Sequence, residues 1–126
     1  MKYLCLAYEE ENKLNILSRS EWDLLRRETL DYVEALRNKG QMISAEALQS
    51  SQTASTVRVR NGKVSITDGP FAETKEQLGG FFLIEARDLN EAIQVASQWP
   101  SARLGSIEVR PIEEALKENG RYRDAQ

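Results

Sequence analysis

The dipeptide Asn61-Gly62 sits at the centre of the run TVRVRNGKVSIT, residues 56–67, in which apolar and polar residues alternate strictly on both sides. A two-residue type I′ turn needs positive φ at both central positions, and Asn followed by Gly meets that need at least steric cost. The pattern therefore predicts a β-hairpin with Val59 opposite Val64 and Val57 opposite Ile66. One face then carries Val57, Val59, Val64 and Ile66 and is expected to meet the core, while Arg58, Arg60, Lys63, Ser65 and Thr67 point the other way. By the same parity Asp68 falls on the apolar side. A carboxylate placed two residues beyond Ile66 on a core-facing strand is an anomaly, because burying it without a partner is costly.

The rest of the chain supplies elements on either side of this hairpin. KYLCLAY (2–8) is a short apolar run, expected as a strand buried on both faces. Trp22, Leu25, Thr29, Tyr32, Val33 and Leu36 recur at helical spacing from about Ser20 to Gly40, with Thr29 the one polar interruption of the stripe. MISAEAL (42–48) reads as a strand and QSSQTAS (49–55) as a polar connector. GGFFLIEA (79–86) reads as a buried strand. Asp88 is placed as the N-cap of a second helix, with Glu91 three residues on, Pro100 beyond its end, and Leu89, Ala92, Ile93, Ala96 and Trp99 on its buried face. GSIEVRPI (105–112) is the last strand.

At 126 residues, 40% hydrophobic and 29% charged, the chain has the length and apolar content of one core, so residues 1–112 form a single domain and 113–126 a polar tail with at most one short helix stopping near Gly120. The order is strand, helix, strand, inserted hairpin, strand, helix, strand. This is the split βαβ pattern of a ferredoxin-like α+β sandwich, with both helices on one face of the sheet. The opposite face then needs a cover, and sheet-on-sheet packing in a homodimer is the expected solution.

Composition narrows the chemistry. The 17 basic residues are scattered among 20 acidic ones, for a net charge of −3, which argues against nucleic acid as a partner. No apolar run reaches the length of a membrane span, and the opening MKYLCLAYEE turns acidic too early for a secretory signal; a cytoplasmic protein with no membrane partner is expected. The single cysteine, Cys5, lies in an apolar run and reads as a buried thiol rather than a nucleophile. The chain has no histidine, which removes imidazole as general base and as metal ligand. No metal-ligand cluster and no cofactor motif is present: Gly79-Gly80 lacks the following helix of a phosphate-binding loop and instead permits close approach of two chains.

The runs TVRVRNGKVSITDGPFAETKEQLGGFFLIEARDLNEAIQVASQWP and GSIEVRPI, with the opening MKYLCLAY, closely resemble the DGPF branch of the YCII-related family. Only the tail after about Ile112 lies outside the resemblance. It implies a dimeric α/β barrel built on a ferredoxin-like fold, with a cleft in each protomer near the Asp68-Gly69-Pro70-Phe71 signature. It also implies a comparison with relatives for which a His-Asp pair in that cleft has been proposed as catalytic. Asp68 matches the aspartate, but Thr29 stands where those relatives carry the helix histidine. A threonine hydroxyl donates a hydrogen bond and does not shuttle protons at neutral pH, so the match carries a binding role and not a dyad. Some DGPF proteins are encoded beside, or fused to, extracytoplasmic-function sigma factors, which implies a functional link to a sigma factor.

Two readings of Asp68 stay open: a turn former accepting hydrogen bonds from the following amides, and a cleft carboxylate that binds a polar or cationic group. The candidate ligand-binding residues are Asp68, Thr29, Arg58, Tyr3 and Phe71, and the ligand is a small molecule of unknown identity. Phe81 and Phe82 are aromatic neighbours that packing explains as well. Glu73, Lys75 and Glu76 read as a solvated run, and Arg60 as an exposed cross-strand residue. The favoured function is a small-molecule-binding or regulatory homodimer. The alternatives are an enzyme with Asp68 as catalytic general acid or base, helped by Tyr3 or Tyr32 as proton donor, and a purely structural interaction module.

Overall fold

The computed structural model describes residues 1–114; the expected helix in the tail lies outside the described residues. The described strands are β1 (Lys2–Glu9), β2 (Met42–Ala47), β3 (Ser55–Arg60), β4 (Lys63–Asp68), β5 (Gln77–Glu85) and β6 (Gly105–Pro111). The helices are α1 (Glu11–Asn15), α2 (Arg19–Asn38) and α3 (Leu89–Ser97), with short 3₁₀ turns at Ser51–Thr53 and Pro100–Arg103. Four strands form one antiparallel sheet in the order β2-β5-β1-β6, and β3 and β4 pair only with each other. The architecture is mixed α+β, and the strand order is consistent with a ferredoxin-like fold.

Local sequence signals explain the helix starts. Ser18 caps α2 through a reciprocal box: its hydroxyl accepts from the Glu21 amide at 3.1 Å, and the Glu21 carboxylate accepts from the Ser18 amide at 2.9 Å. The Asp88 carboxylate caps α3 by accepting from the Glu91 amide at 2.9 Å, as its position predicts. The hairpin turn also forms as predicted, with φ of 52° at Asn61 and 75° at Gly62, Val59 opposite Val64 and Val57 opposite Ile66.

Helices and the second 3₁₀ turn cover one sheet face. Tyr3, Cys5, Phe82, Ile84 and Met42 from the sheet pack there against Leu36, Ala92, Val95 and Trp99. The Phe82 and Trp99 rings stack at 4.0 Å between centroids, and Tyr32 meets Trp99 edge-on at 6.1 Å while donating its hydroxyl to the Val95 carbonyl at 2.7 Å. Burial lifts the Cys5 thiol to about 12, which keeps it protonated and unreactive.

Several expectations are corrected here. The strands 2–8 and 79–86 are buried on one face, not both: Leu4, Leu6, Phe81 and Leu83 alternate with the core residues and are only half-buried. Trp22, Leu89 and Ile93 are exposed rather than on the buried helix faces. The largest correction concerns the hairpin. Its apolar face does not meet the core of this chain, since Val57, Val59, Val64 and Ile66 are 60%, 56%, 66% and 68% exposed. The reason is topological. A hairpin that joins no strand of the main sheet finds no surface among the described residues against which to bury its alternate residues.

Candidate functional site

Asp68 ends β4 and stands opposite Ser55. Gly69 follows with φ of 101°, a conformation that suits glycine, and its amide donates to the Ala54 carbonyl at 2.7 Å. Thr56 donates its hydroxyl to the Gly69 carbonyl at 2.9 Å, so the base of the hairpin is closed by backbone and hydroxyl contacts. The Asp68 carboxylate takes no part in them and has no hydrogen bond or ion pair among the described residues. The turn-former reading, which needs that carboxylate as an acceptor, is therefore not what the structure contains. Asp68 is also exposed, so the expected placement at the edge of the core is corrected together with the hairpin face.

Around Asp68 lies an open depression of about 570 Å³, lined by Ser51, Gln52, Asp68, Gly69, Pro70, Glu73, Thr74 and Gln77. Its walls come from the connector before β3, the signature turn and the start of β5. The connector is held by Glu11, whose carboxylate accepts from the Ser51 amide at 2.7 Å and the Ser50 hydroxyl at 3.1 Å; these bonds hold its pKa below the usual carboxylate value. Ser51 in turn donates to the Gln77 side chain at 2.8 Å. Across the signature turn, Thr74 donates to the Glu76 carbonyl, and Ser106 donates to the Glu76 carboxylate at 2.7 Å. The lining thus contains two carboxylates, Asp68 and Glu73, with amide and hydroxyl groups and no cationic side chain. Such a surface suits a small ligand bearing ammonium, guanidinium or hydroxyl donors.

The other candidates lie elsewhere, and none of them lines this depression. Thr29 projects from the sheet-facing stripe of α2 and donates its hydroxyl to the Leu25 carbonyl one turn back, at 2.8 Å. Tyr3 is 2% exposed in the core, its hydroxyl 3.8 Å from the Met1 sulfur. Burial raises the pKa of Tyr32, whose hydroxyl is bound to Val95. Arg58 and Phe71 do meet each other, the guanidinium standing 5.6 Å from the ring centroid of an otherwise exposed Phe71. Such an exposed cation–π contact contributes roughly 0.5–1 kcal/mol to fixing the signature turn against the hairpin. The solvated reading of the 73–76 run holds for Glu73, which also lines the depression, and for Lys75, whereas Glu76 is half-buried and accepts from Ser106. Ser51, Thr74 and Gln77 were not legible as site residues: they are ordinary connector residues until the chain brings them together.

A second polar cluster also escaped sequence reasoning. Glu9, at the end of β1, presses on the bare backbone of Gly79, where a Cβ would stand 2.6 Å from the Glu9 Oε2. Burial pushes the Glu9 carboxyl above its usual pKa, opposed by the Ser101 hydroxyl, which is itself closed off from solvent, and aided by the charge on Glu11. In the sequence Glu9 is only the first of three acids. The folded chain holds the Glu9 proton more tightly than the unfolded chain does. Its contribution to stability is therefore complete in acid, below the ordinary carboxyl range, and is lost as pH rises through the raised value. Replacing the ionised group with a neutral one should then help at neutral pH. Glu9→Gln is expected to raise the melting temperature by a few degrees at about pH 7, with the gain shrinking toward about pH 4. Parallel thermal melts across that range check this, and a gain independent of pH would contradict it.

Comparisons with known proteins bear on the family and the fold. The family model for the YCII-related domain matches residues 1–116. The uncharacterised protein R00369 of Rhizobium meliloti (strain 1021) is 37% identical over 118 residues, covering 89% of this chain and 92% of that protein. Among solved structures, the 5-chloro-2-hydroxyhydroquinone dehydrochlorinase TftG from Burkholderia phenoliruptrix AC1100, in complex with 2,5-dihydroxybenzoquinone, superposes with a TM-score of 0.55. That match spans 93% of this chain and 98% of the other at 15% identity, a likeness of fold alone.

Proposed function

We propose, from the premise that the chain belongs to the YCII-related family, that it is a small-molecule-binding or regulatory homodimer of the DGPF branch whose ligand binds at Asp68. The observation that carries this reading is the Asp68 carboxylate, unpaired among the described residues and set in a polar depression with Glu73. Two acids with no neighbouring cation favour a ligand that brings its own positive charge or several donors. The homodimer reading is supported by the open sheet face, where Leu4, Leu6, Phe81 and Leu83 form a continuous apolar strip with no cover from the helices. Two such faces turned inward would make the α/β barrel that the family resemblance implies. A link to a sigma factor would make the site a sensor, and it rests on that resemblance alone. The lone buried thiol fits the reducing cytoplasm. No described helix is long and apolar enough to cross a membrane.

The general acid–base alternative finds less support. No described group hydrogen-bonds the Asp68 carboxylate to orient it for proton transfer, and Thr29, Tyr3 and Tyr32 direct their hydroxyls elsewhere.

A thermal-shift screen of primary amines, guanidines and polyols against wild type and Asp68→Asn tests the proposal. A compound at about 100 times its dissociation constant stabilises by about 2.7 kcal/mol. The expected result is at least one compound that raises the wild-type melting temperature and shifts Asp68→Asn far less. A compound that shifts both proteins equally would remove Asp68 from the site.

A further inference from the structure

The Asp68 depression offers a ligand more than two carboxylates. Of the side-chain hydroxyls that line it, Thr74 gives its proton to the Glu76 carbonyl, and Ser51 gives its proton to the Gln77 Oε1 at 2.8 Å. A hydroxyl has one proton, so neither is left to donate to a ligand. Gln77 then has its oxygen occupied and both Nε2 protons without a partner among the described residues. Gln52, the other amide of the lining, is exposed, and no hydrogen bond holds its side chain among the described residues. Among those residues, Gln77 is therefore the fixed side-chain donor of the depression.

What fixes Gln77 lies outside the depression. The Glu11 carboxylate accepts from the Ser51 amide at 2.7 Å and from the Ser50 hydroxyl at 3.1 Å, and so holds the start of the Ser51–Thr53 turn by two bonds. Ser50 also caps that turn by accepting from the Gln52 amide at 3.2 Å. With the Ser51 backbone pinned, only χ1 is left to place its hydroxyl, which meets the Gln77 oxygen. Glu11, Ser51 and Gln77 are all half-buried, whereas Asp68 and Glu73 are exposed. Hydrogen bonds shielded from bulk water are the stronger ones, so the Gln77 side of the site is ordered and the carboxylate side adaptable.

We infer that Gln77 is the specificity-determining residue of the Asp68 site, that Glu11 is a positioning residue acting on it through Ser51, and that the ligand is a cationic compound that also carries a hydrogen-bond acceptor. This rests on the binding reading above and adds the second half of the ligand: ammonium or guanidinium toward Asp68 and Glu73, and an acceptor oxygen toward the Gln77 Nε2. A cation without that acceptor strips water from the Nε2 donors and gives nothing back, and a polar group left unpaired on binding discriminates strongly between ligands.

Isothermal titration calorimetry with two probes tests the inference: methyl 4-guanidinobutanoate, which carries an ester carbonyl, and hexylguanidine, a chain of the same length with no acceptor. Wild type should bind the ester about fivefold to tenfold more tightly, the range that one net hydrogen bond supplies. Gln77→Glu keeps an oxygen for Ser51 but removes the amide donor, and should abolish the preference. Glu11→Ala should abolish it too, whereas Glu11→Gln, which keeps an acceptor for the Ser51 amide, should retain most of it. Loss of stability alone would weaken both probes together and leave their ratio unchanged, so the ratio separates positioning from folding. Wild type that binds both probes equally, as it would with the Gln77 amide turned the other way, overturns the specificity role, while the binding reading stands if Asp68→Asn weakens both. A preference that survives Gln77→Glu overturns the role of Gln77, and one that survives Glu11→Ala overturns that of Glu11. Wild type that binds neither probe overturns the inference and the binding reading together.

Discussion

Gly105→Ala is expected to lower stability by about 3 kcal/mol, the upper part of the usual range for forcing extra atoms into a packed interior. A Cβ at this position would stand 2.1 Å from the Tyr8 carbonyl oxygen and 3.2 Å from the Glu9 Cα. The obstructing atoms are backbone, inside the pairing of Glu9 with Gly105 that starts the β1–β6 ladder. No rotamer change relieves the overlap. Either β6 moves away and its first hydrogen bonds are lost, or the helix-side core shifts with it. For a domain of this size the loss corresponds to a fall in melting temperature of roughly 10 °C. Thermal unfolding followed by circular dichroism reads it directly, and a fall of under about 2 °C would mean that the strand pair relaxes at little cost.

Phe82→Ala is expected to cost about 3–5 kcal/mol, a large part of the 5–15 kcal/mol typical of a whole domain. Phe82 is fully buried, and its ring stacks on Trp99, which also holds Tyr32, so the deletion opens a cavity where sheet, α2 and α3 meet. The neighbouring Phe81 makes a control. It occupies the opposite sheet face and is only half-buried, so Phe81→Ala should cost the folded chain less than half as much while weakening self-association. Urea titrations of both variants, with sedimentation of the second, separate the two roles. Equal destabilisation by the two substitutions would contradict the assignment of faces.

That contrast shows how far the sequence could be read. Phe81 and Phe82 are adjacent and identical in chemistry, and both read as buried strand residues. Parity places them on opposite faces, but only the packing of α2, α3 and the Pro100–Arg103 turn determines which face is the core. The hairpin repeats the lesson. Its turn, register and two faces were all legible from Asn61-Gly62 and the alternation around it, because each depends on residues a few positions apart. Its exposure was not, because alternation says that one face is apolar without saying what lies against it.

The candidate site divides in the same way. Asp68 was legible as an anomaly of parity, and it remains one, though as a surface carboxylate unpaired among the described residues rather than a buried one. Ser18 carries a readable capping signal with Glu21 that would have set the start of α2 at Arg19, one residue earlier than the reading from its apolar stripe. Glu73, Ser51, Thr74 and Gln77 carry no such signal, since they meet Asp68 only after the connector, the signature turn and β5 have folded together. Thr29 and Tyr3 fail as partners of Asp68 for the converse reason. One is directed by the helix stripe and the other by the core, and neither constraint refers to the signature turn.

What the sequence determined by itself is what short-range chemistry sets: the type I′ turn, the order of the strands and of the helices α2 and α3 though not the short α1, the Asp88 cap, the strand pattern that yields the β2-β5-β1-β6 sheet, and the absence of imidazole from any site. What only the tertiary structure decided is which apolar faces have a partner within the chain. Periodicity is a property of neighbouring residues, whereas burial depends on a surface that arrives from a distant part of the chain, and for the hairpin and the open sheet face none arrives among the described residues.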